Sequence, residues 1–266
     1  MKRIALRIAY DGTNYHGWQI QPNGITVQEI LENALSEIAK IKIKINGSGR
    51  TDSGVHALNQ IAHIDFPINM TCEQIVKAIT QKLPNDIKIL NALEVEDDFN
   101  SRFDARERRY FYFISKERNP FNSRYKTHFA RKEILADSIP NFCKQFLGEH
   151  DFSAFSKPNP DVPNHICNIK QLNFYERKND FYFEISANRF LHNMVRRIVG
   201  TIINLTNKDF SPEIISELLL LKSAKQQYIF TAPPTGLFLA KVSYPNQSMK
   251  KEMLLAEKFC QDFLEI

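Results

Sequence analysis

The sequence predicts an α+β fold of two tandem ferredoxin-like halves with antiparallel sheets, residues 1–104 and 105–266. Length and pattern predict it. The chain has 266 residues, 43% of them hydrophobic, which is enough apolar material for one large domain or two small ones. Its hydrophobic pattern gives the order β-α-β-β-α-β twice, and this order defines the ferredoxin-like unit. Two similar halves are therefore favoured over one irregular domain.

The first half owes its strands to two-residue periodicity and its helices to capping sequences. Residues alternate between the two faces of a strand in three runs, which predict strands over 2–10, 41–45 and 61–66, and a fourth strand is predicted over 87–95. Thr26 with Glu29, and Thr71 with Gln74, have the spacing of capping boxes. An apolar stripe at helical spacing follows each, so we expect one helix ending near residue 40 and a second reaching residue 83.

The second half repeats this order with longer connections. Strands are predicted over 109–115, 166–177, 181–186 and 236–244, the middle two forming a hairpin. Helices are predicted over 133–147 and 190–205, with additional helices at 212–221 and 249–263.

Composition limits the class of protein. No uncharged apolar run approaches the ~20 residues that a membrane helix needs, and no signal-peptide core follows the first residues, so we expect a cytoplasmic protein without a membrane partner. Thirty-five Lys and Arg against 30 Asp and Glu give a net charge of +5, which permits a polyanionic partner without establishing one.

Several kinds of chemistry lack their motifs. The four cysteines form no C-x-x-C pair and are expected to be reduced and structural. The seven histidines include no ligand-spaced pair, so no metal site is predicted. A nucleophile elbow and a dinucleotide fingerprint are also absent from the sequence.

The segment 47–57 carries the densest cluster of functional residue types. It lies between two predicted strands, where a loop can present side chains from a rigid sheet. Its glycines allow sharp turns or close approach to a ligand, and Arg50 and Asp52 are placed to pair or to bracket a substrate. The alternative is a hairpin connection with a turn initiated by Asp52.

Residues 102–132 are strongly basic and interleaved with aromatic residues. Cations for phosphates beside rings for bases are typical of a surface that binds unstacked RNA. The alternative is an ordinary strand with buried rings and solvated charges, which is favoured for Phe111 and Phe113. Tyr110 and Tyr112 share the opposite face of that strand, where they could reach a ligand.

A third cluster covers residues 188–200, where an apolar helical stripe is most simply explained as core. Arg189, His192, Arg196 and Arg197 either form a solvated face or reach an anionic group across a cleft.

These motifs together resemble the TruA family of tRNA pseudouridine synthases, colinearly from the first strand to the last. The resemblance rests on Y-D-G-T-x-Y-x-G-W-Q at 10–19, G-R-T-D-S-G-V-H-A at 49–57, R-x-R-R-Y-x-Y at 106–112, D-F-S-A-F at 151–155, F-L-H-N-M-V-R at 190–196 and A-P-P-x-G-L at 232–237. It implies isomerisation of uridine to pseudouridine at positions 38 to 40 of the tRNA anticodon stem-loop, in a cleft between the halves. It also implies a homodimer that uses no cofactor and no metal.

The resemblance also assigns roles by position. It makes Asp52 the catalytic carboxylate and Arg50 the residue that holds the target nucleotide flipped out. Arg196 would pair with the carboxylate, and Tyr110 would stack on the uracil. Arg109 and His192, in the same motifs, are expected to contact the substrate with Tyr110 and Arg50.

This sequence departs from the common family pattern in two places. Arg189 stands where a small residue is frequent, and Asn100-Ser101-Arg102-Phe103 replaces a more usual His-Ala-Arg-Phe. Neither departure touches the proposed chemistry.

Two other functions fit parts of the pattern. A non-catalytic RNA-binding module would explain the basic and aromatic residues, but it has no need for an aspartate among them. A carboxylate-dependent nucleoside hydrolase ordinarily uses two paired carboxylates, whereas the loop offers one.

Overall fold

A computed structural model describes residues 1–129, 134–160, 162–208, 210–222 and 227–245. The fold is α+β, with mostly antiparallel strand pairing. Contacts divide the chain into two compact units. The first contains Met1–Arg106 and the described residues from Phe238 onward, and the second contains Glu107–Leu237.

The first unit contains the predicted order of strands and helices. Its elements are β1 (Lys2–Tyr10), α1 (Val27–Ala39), β2 (Asn46–Gly47), β3 (His56–Phe66), α2 (Cys72–Thr80), β4 (Ile87–Glu94) and β9 (Leu237–Ser243). β1 pairs antiparallel with β3 and β4, β2 pairs antiparallel with β3, and β9 pairs parallel with β3. Ile4, Leu6 and Ile8 are buried on one face of β1, as their spacing predicts.

Both helices of this unit begin at the predicted caps. The Thr26 hydroxyl accepts from the backbone N–H of Glu29 at the start of α1. At α2 the full capping box is present, because the Thr71 hydroxyl accepts from Gln74 N–H and the Gln74 side chain accepts from Thr71 N–H. The predicted caps are confirmed.

The strand predicted over 41–45 is wrong, since regular pairing begins only at β2. Ile43 and Ile45 are buried as the alternation requires. Their backbone groups, however, bond to side chains of α1: Ile43 N–H donates to Ser36 Oγ (2.9 Å) and Ile45 N–H donates to Glu32 Oε1 (3.1 Å). Helix side chains thus replace a partner strand.

The second unit has a four-stranded antiparallel arrangement with helices. Its elements are β5 (Glu107–Ser115), α3 (Ile139–Lys144), β6 (Gly148–Asp151), β7 (Ile166–Glu176), β8 (Asp180–Ala187), α4 (Met194–Thr206), α5 (Ile214–Leu220) and a 3₁₀ turn (Pro234–Gly236). The strands lie in the order β5-β8-β7-β6. The predicted hairpin is confirmed as β7 and β8.

Two helices of this unit are shorter than the sequence predicts. α3 starts at Ile139 because Pro140 lies in its first turn, whereas a helix from residue 133 would have placed that proline in its interior. α4 starts at Met194 because Asn193 is left-handed (φ 64°), so residues 190–193 are not helical. The helix predicted over 249–263 lies outside the described residues. Strand β6 was not predicted.

No helix in the described ranges is both long and apolar enough to cross a membrane.

Candidate active site

The loop that connects β2 to β3 carries Arg50 and Asp52. The Arg50 side chain is exposed, and Asp52 is half-buried. A backbone hydrogen bond from Val55 N–H to Asp52 O (3.1 Å) closes a turn just after the carboxylate. The loop therefore holds one carboxylate partly out of solvent, with a cation two residues before it.

The segment after β1 fixes the backbone of this loop. Trp18 N–H donates to Thr51 O (3.1 Å), and Gly54 N–H donates to Tyr15 O (3.2 Å). Gly17 has φ +86°, and a Cβ at this position would lie 2.5 Å from Thr51 O. Only glycine allows both this conformation and this approach.

Side chains of β1 and the loop also hold the loop against this segment. The Tyr10 and Thr51 hydroxyls are hydrogen-bonded at 2.8 Å, and both residues are buried. Burial raises the pKa of Tyr10, so its hydroxyl stays protonated near neutral pH. Gly12 approaches even more closely, since a Cβ there would lie 2.0 Å from Val55 O.

A polar cluster supports the far end of the loop at His56. Its Nδ1 lies 3.1 Å from a carboxylate oxygen of Asp11 and 3.1 Å from the backbone N of Gly12. Its ring stacks on Phe238, with centroids 4.5 Å apart. Burial opposes ionisation of Asp11, but its contact with His56 and its hydrogen bonds from Thr13 outweigh it and lower the pKa of this carboxyl.

The start of the loop is held by β3. Gln60 accepts from the Ser48 hydroxyl (2.6 Å) and donates to Gly49 O (2.9 Å). A Cβ at Gly49 would meet no atom within 4 Å. Close approach therefore constrains Gly12 and Gly17, but not Gly49.

No role was predicted for the segment 10–18, although its Y-D-G-T-x-Y-x-G-W pattern is part of the family resemblance. Glycines and aromatic residues at fixed offsets signal close backbone approach. Which backbone they approach depends on tertiary structure and could not be deduced from spacing.

In the second unit, Tyr110 lies on β5 opposite Ile185 of β8. Its side chain is buried, and its ring meets Phe190 edge-on, with centroids 5.2 Å apart and planes at 88°. The sequence had assigned Phe190 to the core stripe of a helix. It is half-buried and lies before α4, where it fixes one side of the Tyr110 ring.

Tyr112 is not open to a ligand, although its place on the Tyr110 face of the strand had suggested that it could reach one. It is fully buried, and its hydroxyl donates to Pro233 O (2.9 Å) and contacts the Thr127 hydroxyl (2.8 Å). Burial raises its pKa. Phe111 and Phe113 are buried as well, so both faces of β5 are covered.

Arg196 occupies the first turn of α4, where two acceptors orient its guanidinium. Nε donates to Ala232 O (2.7 Å), and one terminal nitrogen donates to Asn193 Oδ1 (3.0 Å). α4 can approach the segment 230–232 because residue 200 is glycine, where a Cβ would lie 2.3 Å from Phe230 O. The left-handed Asn193 and the A-P-P segment thus aim this arginine.

The remaining predicted residues of this unit have different surroundings. Arg109 is half-buried and forms ion pairs with Glu184 (2.9 Å) and Glu107 (3.7 Å). His192 is exposed and lies before α4 rather than on it.

Two of the cysteines are buried. Burial raises the pKa of Cys143 to about 12 and that of Cys167 to about 11, so both thiols are protonated at neutral pH. Cys72, Cys143 and Cys167 are free, and Cys260 lies outside the described residues. Among the residues that the structure describes, no three His, Cys, Asp or Glu side chains are grouped to hold a metal ion.

The known proteins that the chain resembles in sequence include tRNA pseudouridine synthases. A family model described as tRNA pseudouridine synthase matches residues 7–104 and 142–245. The tRNA pseudouridine synthase A 2 of Clostridium perfringens (strain 13 / Type A) is 39% identical over 245 residues, which cover 92% of this chain and 100% of the relative. The tRNA pseudouridine synthase A of Nitrosomonas eutropha (strain DSM 101675 / C91 / Nm57) is 39% identical over 243 residues, which cover 91% of this chain and 87% of the relative. A solved Cbf5-Nop10-Gar1 complex aligns with 74% of this chain and with 43% of the matched chain of the complex, at 11% identity. The TM-score is 0.35, which supports no argument.

Proposed function

Because the chain belongs to the tRNA pseudouridine synthase family, it is an isomerase that forms pseudouridine in tRNA, and we propose that it acts at positions 38 to 40 of the anticodon stem-loop. The observation that carries this proposal is the loop around Asp52. It lies within the matched residues 7–104, and buried contacts from the segment 10–18 fix its backbone.

The reaction conserves every atom of the nucleotide. The bond between uracil N1 and ribose C1′ breaks, the base turns, and C5 bonds to C1′. N1 gains a proton and C5 loses one, so no electron acceptor is needed. Asp52 acts either as a nucleophile at the sugar, as a glycosidase carboxylate does, or as a base that removes a ribose proton.

The other roles follow from what each side chain offers. Arg50 is exposed at the loop and would occupy the space vacated by the flipped nucleotide. Tyr110, braced by Phe190, would stack on the uracil and assist removal of the C5 proton. Arg196 would keep the Asp52 carboxylate charged, which requires the guanidinium to lie within about 4 to 6 Å of it.

Arg109 and His192 complete the proposed substrate contacts. His192 is exposed and can donate to a phosphate or a base. Arg109 would contact the substrate from a guanidinium that its ion pairs with Glu184 and Glu107 hold in place.

We propose further that the chain works as a cytoplasmic homodimer. The same proposal includes two tandem ferredoxin-like halves, 1–104 and 105–266, although contacts group the described residues from Phe238 onward with the first unit. The order β1-α1-β2-β3-α2-β4 supports it for the first half.

The decisive experiment incubates the protein with unmodified tRNA and maps mass-neutral, carbodiimide-reactive uridines. We expect pseudouridine at positions 38 to 40. A pure RNA-binding module would give no product, and a nucleoside hydrolase would release free uracil. Either result would refute the proposal.

Two variants test the residue roles in the same assay. Asp52→Asn should lower turnover by more than about 1,000-fold while tRNA affinity stays within a few fold. Asp137→Asn, an exposed carboxylate on another loop, serves as the control and should turn over normally. Tyr110→Phe keeps the ring and removes the hydroxyl, so normal turnover would exclude a role for that hydroxyl in proton transfer.

A further inference from the structure

The segment between α1 and β2 presents a row of lysines, Lys40, Lys42 and Lys44, which we name the lysine edge. All three residues are exposed, whereas Ile43 and Ile45 between and after them are buried. Lys42 and Lys44 therefore alternate with two buried isoleucines and are themselves open to solvent.

The backbone under the lysine edge is held in place although it belongs to no strand. Gln28, Glu32 and Ser36 lie four residues apart on one face of α1. Ser36 and Glu32 accept from Ile43 and Ile45 N–H, and Gln28 donates to Ile45 O (3.2 Å). The lysines thus extend from an ordered support rather than from a free loop.

The charge of the edge is only partly compensated. Lys40 interacts electrostatically with Glu37, whose carboxylate also forms an ion pair with Lys82. Lys42 and Lys44 make no ion pair with any residue that the structure describes. Glu32, the other nearby acid, already accepts from Gln28 and from Ile45 N–H.

We propose that the lysine edge binds the phosphate backbone of the tRNA substrate, outside the nucleotide that reacts. This proposal rests on the proposed function, which supplies the polyanionic partner. Phosphate contacts of this kind set the position and orientation of a nucleic acid without reading its sequence. Lys44 lies eight residues before Asp52 in the sequence. RNA bound at the lysine edge would therefore be held by a segment that continues directly into the catalytic loop.

The alternative role of such lysines is to block pairing at an exposed edge of the fold. The two roles predict different results. Edge protection requires charge only to prevent self-association, whereas RNA binding makes tRNA affinity depend on salt through the release of counterions.

The experiment measures tRNA affinity between 50 and 200 mM salt for the wild type and for Lys40→Gln/Lys42→Gln/Lys44→Gln. Each phosphate contact adds about 0.7 to 0.9 to the logarithmic salt slope. Over this fourfold change in salt, two to three lost contacts should reduce the affinity loss by about 7- to 40-fold relative to the wild type.

The matched control is Lys77→Gln/Lys88→Gln/Lys178→Gln, which removes the same charge from three exposed lysines elsewhere and should keep the wild-type slope. Lys40→Arg/Lys42→Arg/Lys44→Arg retains the charge and should also keep it. Turnover at saturating tRNA should stay within about twofold in every variant, because none of these lysines belongs to the proposed catalytic set.

An unchanged slope in the lysine-edge variant would overturn the proposal, as would an equal loss of slope in the control. Self-association of the variant with an unchanged slope would establish edge protection instead. If the lysine-edge variant loses slope relative to the wild type and the wild type forms no pseudouridine, the proposed function fails while the lysine edge stands.

Discussion

The hydrogen bond between Tyr10 and Thr51 should contribute to both the stability of the protein and its catalytic rate. Tyr10→Phe removes one partner and leaves the Thr51 hydroxyl buried without it. An unsatisfied buried hydroxyl costs about 1 to 3 kcal/mol, so we expect a loss of that size in the free energy of unfolding. Thr51→Val should cost less, because the Tyr10 hydroxyl also interacts with Gln60.

The double variant separates the bond from other effects of each change. Removing both hydroxyls leaves neither stranded, so its cost should fall below the sum of the single costs by about 1 kcal/mol. Urea unfolding of the four proteins, with the slope of the transition checked for constancy, measures this coupling. Additive costs would refute the reasoning.

The rate should report the position of the loop separately from its stability. Thr51 precedes Asp52, and a displacement of about 1 Å in a reacting group can cost up to about 100-fold in rate. We expect kcat of Tyr10→Phe to fall by about 10- to 100-fold at a temperature where the variant is fully folded. Tyr244→Phe, which removes a buried hydroxyl that donates to Ser101 O, is the control and should lose stability without losing rate. Wild-type kcat in Tyr10→Phe would contradict a positioning role.

Three further predictions concern close approaches and pH. Gly17→Ala should lower the free energy of unfolding in urea by at least about 1 to 2 kcal/mol from its positive φ alone. Gly49→Ala should be nearly neutral, and equal losses in the two variants would exclude the close approach as the cause. Gly200→Ala should lower the free energy of unfolding by about 1 to 3 kcal/mol through overpacking, and should lower kcat by moving the carbonyl that orients Arg196. An unchanged kcat would show that the packing at residue 200 does not set the position of Arg196. Because the pKa of Asp11 is lowered in the folded state, its contribution is present above about pH 4 and is lost as pH falls further. Asp11→Asn should therefore lose less stability on acidification than the wild type, as measured by urea unfolding across pH.

Local signals were sufficient for much of the fold. The alternation over residues 2–10 and the caps at Thr26 and Thr71 predicted elements that the structure contains. Each signal acts within about one turn or a few residues, so no knowledge of tertiary structure was needed.

The errors arose where a distant group competed for the backbone. Residues 41–45 alternate like a strand, but side chains of α1 occupy their N–H and C=O groups. Residues 190–193 continue a helical stripe in sequence, yet Asn193 adopts a left-handed conformation. Its side-chain oxygen accepts a hydrogen bond from Arg196. Periodicity records which side chains are apolar and not which partners the backbone finds.

The site divides in the same way. Residue types and the resemblance indicated Asp52, Arg50, Tyr110 and Arg196, because the chemistry depends on their functional groups. The supporting residues Tyr10, Gly17, Phe190 and Gly200 act through contacts with residues far along the chain. Their roles could not be deduced without coordinates.

This division strengthens the central test at Asp52. The described contacts that fix its loop include the Thr51 and Ser53 hydroxyls, the Gln60 bonds to Ser48 and Gly49, and the backbone of residues 51, 52 and 54. Asp52→Asn changes none of these groups and preserves the size of the side chain. Urea unfolding beside the wild type shows whether the variant is folded at the assay temperature. A folded variant that loses turnover by more than about 1,000-fold reports the carboxylate itself. Comparable losses of stability and turnover would instead make Asp52 a structural residue of the loop.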